Sequence, residues 1–103
     1  MKSDDYGLKD FFYECILALE TKEDCEAFFT DAFARQELNA VFQRTEVARL
    51  LELKYTYNAI AEETGASTAT ISRVNRCLNY GEGGYKSIIN KVLSKTNEEK
   101  SDN

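Results

Sequence analysis

Thr68, Ala69, Ser72, Arg73 and Arg76 recur at spacings that share one face of an α-helix, with Thr70 to one side, and no carboxylate interrupts them. Short hydroxyl and methyl groups at the front of such a helix can enter the major groove of a DNA duplex, and guanidiniums further along can meet phosphates. Duplex DNA is therefore the first partner to consider.

The elements that would hold this face lie in Tyr57 to Val74, which has the residue spacing of a helix-turn-helix. Ala61 is small enough to let the first helix approach the second. Gly65, four residues on, can take the positive φ that ends a helix and turns the chain. Ile71 and Val74 follow at helical spacing and can pack back onto Ile60 and Ala61. Ser67 is a credible N-cap for a second helix starting at Thr68, because its hydroxyl can accept a backbone N–H one turn in. A Gly between two amphipathic helices is common in helical proteins, so it is the conjunction of Ala61, Gly65, Ile71 and Val74 with an acid-free outward face that favours DNA binding.

The chain of 103 residues has no Pro, and apolar residues recur at helical spacing throughout, so an all-α fold is expected. Leu8, Phe11, Phe12, Cys15, Ile16 and Leu19 form the stripe of a first helix. Thr21 followed by Lys-Glu-Asp predicts an N-cap, with Cys25, Phe28, Phe29 and Ala32 striping a short second helix. A third helix is expected from about Ala34 to Lys54. Its wide apolar arc through Leu38, Val41, Phe42, Val47, Ala48, Leu50, Leu51 and Leu53 suits a central strut. After the helix-turn-helix, expected over about residues 57–78, three glycines at 81, 83 and 84 break the chain, and Ile88, Ile89, Val92 and Leu93 stripe a last helix. One DNA-binding domain over residues 1–95 and a polar, flexible tail over 96–103 follow.

The net charge of −5 is polarised: residues 1–34 hold three Lys against nine acids, whereas residues 66–95 hold five basic groups and only Glu82. A positive end can face phosphates while the acidic end points away. Cys15, Cys25 and Cys77 show no paired ligand spacing and there is no His, so reduced core thiols are expected and no metal or other cofactor is implied. Without His, Ser-x-x-Lys or Gly-x-Ser-x-Gly, and with Glu62 and Glu63 side by side, the sequence offers no catalytic set. No stretch has the apolar length of a membrane span or signal peptide, so a cytoplasmic protein is expected. Phe11, Phe12, Phe28, Phe29, Phe33 and Tyr85 are a large apolar supply for so small a monomer, which suits a dimer with shared helices. A two-fold pair would set its reading helices about 34 Å apart, matched to a palindrome.

Gly65-Ala66-Ser67-Thr68-Ala69-Thr70-Ile71-Ser72-Arg73, with Leu50 and Leu51 upstream, resembles the DNA-reading segment of the tryptophan repressor. The continuation Val74 to Gly81, followed by Gly83-Gly84-Tyr85, is similar to the YerC/YecD branch of that family. The resemblance spans roughly Leu8 to Leu93 and is most specific between Tyr55 and Tyr85. It implies a six-helix, interlocked homodimer whose helices four and five form the reading head. It also implies that Asn58, Thr68, Ala69, Thr70 and Ser72 meet bases or phosphates, which with Ser67, Arg73 and Arg76 completes the candidate DNA-binding set. In the tryptophan repressor two arginines, a glycine and a serine surround the indole. The corresponding places here hold Gln43, Arg73, Val74 and Cys77, and Arg44 sits one residue late, about 100° round the helix.

Two readings from different classes remain. One is a dimeric, sequence-specific transcriptional regulator, expected to be a repressor, whose small-molecule effector the sequence does not identify. The other is a dimeric helical protein-interaction module that keeps the helix-turn-helix shape. Because Val74 adds branched bulk where a flat ring would need clearance, isothermal titration with L-tryptophan is expected to show no uptake in the micromolar range. Micromolar binding would restore tryptophan as co-repressor.

Overall fold

The computed structural model describes the backbone of residues 5–101 and the side chains of residues 7–96. Six helices follow one another, α1 (Asp5–Leu17), α2 (Lys22–Ala32), α3 (Arg35–Glu52), α4 (Tyr57–Thr64), α5 (Thr68–Tyr80) and α6 (Gly84–Ser101), with no strand among the described residues. The chain, expected to be one domain over residues 1–95, packs as two compact units, residues 1–38 and 39–103.

In the first unit the boundary between α1 and α2 is set by a capping box. Thr21 Oγ1 accepts the Asp24 N–H at 3.0 Å, and the Asp24 carboxylate accepts the N–H groups of Thr21 and Glu20 in return. These bonds commit Glu20 and Thr21 to starting the next helix, so α1 ends at Leu17 and the expected stripe loses Leu19 from its helix. Phe12, Phe28, Phe29 and Phe33 form a chain of tilted and edge-on rings with centroids 5.7 to 6.4 Å apart. Cys15 and Ile16 of the α1 stripe are half-buried, whereas Leu8 is 65% and Phe11 73% exposed.

The second unit is built on Val47, Ala48 and Leu50 from α3, Ile60 from α4, Ala66 from the turn, Ile71, Val74 and Leu78 from α5, and Ile89 from α6. Fully burying a side chain of the size of Ile60, Ile71, Val47 or Val74 stabilises by about 1.5 to 3 kcal/mol, so these four dominate the unit. Only the C-terminal half of α3 serves as the expected strut, since Val41 and Phe42 are exposed, and Leu53, also expected in the strut, lies exposed beyond the helix end. The helix ends at Glu52, two residues before the expected Lys54. Lys54 takes φ 70°, with Tyr55 N–H donating to Leu50 O and Lys54 N–H to Leu51 O, the two bonds of a Schellman cap.

The glycine-rich connector is tight. Gly81 donates its N–H to Cys77 O and closes α5, Gly83 turns the chain at φ 92°, and Gly84 opens α6. Helix α6 then runs to Ser101, through most of the segment expected to be a flexible tail, because nothing after Gly84 breaks the helix. All three cysteines are free, with Cys15 and Cys25 half-buried. Cys77 is exposed and not a core thiol, as it lies one residue and about 100° round α5 from the buried Leu78.

A Cβ at Gly81 would stand 2.5 Å from Cys77 O, whereas one at Gly84 would meet nothing within 4 Å. Gly81→Ala should therefore cost about 1 to 3 kcal/mol by forcing open the last turn of α5. Gly84→Ala should be neutral or stabilise by up to about 1 kcal/mol through helix propensity. Urea unfolding of the two variants checks both signs.

Candidate nucleic-acid interface

The geometry of the turn decides which side of α5 faces solvent. Thr56 caps α4 by accepting the Ala59 N–H, and Gly65 closes it in the left-handed region at φ 74° with its N–H on Ala61 O. Ser67 then caps α5: its Oγ accepts the Thr70 N–H at 3.1 Å and donates to Thr70 Oγ1 at 3.1 Å. The expected roles of Gly65 and Ser67, and the helix start at Thr68, are all observed.

With Ile71, Val74 and Leu78 turned into the core, Thr68, Ala69, Ser72, Arg73 and Arg76 are exposed on the opposite side. Thr70 is half-buried at the cap, and Ser67 and Asn58 are exposed at the starts of α5 and α4. Ala69, Ser72, Arg73 and Arg76 line a shallow open depression on this face. Thr68, Ala69, Ser72, Arg73 and Arg76 thus form an exposed ridge on α5; Ser67 and Thr70 satisfy each other and the helix end, while Thr68 and Ser72 have no side-chain hydrogen bond among the described residues.

Electrostatics separates these cations from Arg49 and Lys86 in the same unit. The Arg49 guanidinium hydrogen-bonds Glu46 at 2.6 Å, which holds the Glu46 carboxyl below its usual range and raises Arg49. Lys86 pairs with Glu52 at 3.2 Å. Arg73 and Arg76 enter no ion pair among the described residues, and no acid lies between Ala66 and Gly81 to provide one within the helix. Their charge is left for an external anion.

Of the residues expected at an effector cleft, Gln43 and Val74 have internal partners. Val74 is 2% exposed and belongs to the core. Gln43 is half-buried, and its Nε2 donates to Thr64 O at 3.1 Å. Arg44 is half-buried, Cys77 is exposed, and Arg73 lies on the outward ridge. The bond from Gln43 was not legible in the sequence: the partners are 21 residues apart, and one is a backbone carbonyl that carries no residue-type signal.

Residues 8–93 match the family model described as Trp repressor protein. The chain is 46% identical over 92 residues to the uncharacterized protein YerC of Bacillus subtilis (strain 168), covering 89% of this chain and 88% of that protein. It superposes on the crystal structure of a TrpR-like protein from Eubacterium eligens ATCC 27750 with a TM-score of 0.77 and 44% identity, covering 81% of this chain and 86% of that one. A crystal structure of a candidate Trp repressor from Staphylococcus aureus gives a TM-score of 0.80 at 40% identity, covering 84% of this chain and 87% of that one.

Proposed function

Because the chain belongs to the Trp repressor protein family, we propose that it is a homodimeric transcriptional regulator, a repressor that reads a palindromic DNA operator through α4 and α5 without tryptophan as co-repressor. The observation that carries this reading is the exposed, acid-free ridge of α5, where two unpaired guanidiniums follow short hydroxyl and methyl side chains. Thr68, Ala69 and Ser72 are the groups we assign to base edges, Arg73 and Arg76 to phosphates, and Asn58, Ser67 and Thr70 to the margin of the contact. A DNA partner also implies a cytoplasmic protein. No helix among the described residues is long and apolar enough to cross a membrane.

The dimer is supported by the apolar surface that one chain leaves open. Leu8, Phe11 and Leu17 are exposed in the first unit, and Val41, Phe42, Ile88 and Val92 in the second. Large side chains in that number are costly to leave in water, and a second copy is the simplest cover for them. Two reading heads also double the phosphate contacts that a protein with a net charge of −5 can make.

Fluorescence anisotropy with duplex DNA over a salt series tests the reading. The double variant Arg73→Ala, Arg76→Ala should lose affinity, and its log–log salt slope should flatten by roughly 1 per phosphate contact removed. Thr68→Ala should change base preference with the slope unchanged. An arginine double variant that binds like the parent would favour the protein-interaction module instead.

A further inference from the structure

Gln43 makes a bond with unusual leverage. Thr64 is the last residue of α4, and its carbonyl is one of those that a helix end leaves without an intrahelical partner. That carbonyl belongs to the peptide leading into Gly65, whose left-handed φ of 74° sets the direction in which α5 leaves the turn. Gln43 holds it from α3 at 3.1 Å, one helical turn before the fully buried Val47. Thr64 extends the hold in both directions: its Oγ1 donates to Ile60 O at 2.8 Å and accepts the Ala66 N–H at 3.1 Å. Among the described residues, no other side-chain hydrogen bond ties α3 to α4 or to the turn.

We infer that Gln43 is the positioning residue of the reading head, and that the head is preset by the chain itself. Two internal braces hold the head. Val74 fills the apolar space beneath it, and Gln43 fixes the peptide about which it would swing. Both braces are side chains already in place, so the pose of α5 does not wait for a small molecule. This inference rests on the DNA-reading function proposed above for its consequence, and on the hydrogen-bond network alone for its cause.

Gln43→Met keeps a long unbranched side chain and removes the donor, and Gln43→Glu puts an acceptor against the Thr64 carbonyl. Amide hydrogen exchange followed by NMR reads the brace without DNA, with Val47 N–H as the core reference. Exchange at Gly65 and Ala66 should quicken about fivefold in the Met variant, and further in the Glu variant, with Val47 unchanged. Affinity for duplex DNA should fall by about the same factor with an unaltered salt slope. Exchange that stays unchanged at the turn, or rises equally at Val47, would overturn the positioning role. So would selective quickening with parental DNA affinity. A parent protein that binds no duplex yet shows selective quickening in the variants would sink the DNA reading and leave the brace standing.

Discussion

The left-handed bend at Gly65 is the constraint from which the second unit follows. Only there can the chain reverse within three residues and bring Ile71 and Val74 back onto Ile60 and Val47. An L side chain would meet no neighbour at this position, so the requirement is one of backbone conformation and not of space. Once those apolar groups are inside, rotation of α5 about its own axis is fixed, and the acid-free ridge must face outward. The buried core and the exposed ridge are thus two sides of one helix stripe.

Charge arrangement then turns a net acidic protein into a credible ligand for a polyanion. Arg49 in α3 pairs with Glu46 and Lys86 at the start of α6 pairs with Glu52, and the exposed Arg49–Glu46 pair contributes little stability but neutralises local charge. Arg73 and Arg76 are left uncompensated. Half of the 18 acids fall in residues 1–34, away from the ridge in sequence. Such asymmetry favours one orientation of approach and discourages indiscriminate adhesion.

What could be read from the sequence was local. Ser67, Gly65 and Thr21 announce caps because a hydroxyl, or a missing Cβ, acts on backbone groups within a few residues. Ile71 and Val74 announce burial through their period. Features that depend on distant partners or on context did not show. Lys54 adopts a conformation usually left to Gly, because the Schellman bonds after Glu52 outweigh its steric cost. Leu19 carries the α1 stripe on paper, yet the capping box begins one residue later and takes the backbone with it. Gln43 looked like a departure at a ligand position, and the bond it makes was hidden because its acceptor is a carbonyl 21 residues on. Division into two units was equally hidden, since apolar stripes say which face is buried and not against what.

Selection of bound fragments from a pool of random duplex DNA, with the purified full chain at low salt, addresses the central claim most directly. A ridge that reads DNA from a two-fold pair should enrich a symmetric motif whose half-sites are centred about one helical turn apart. A pool that emerges from repeated rounds as random as it entered would contradict it.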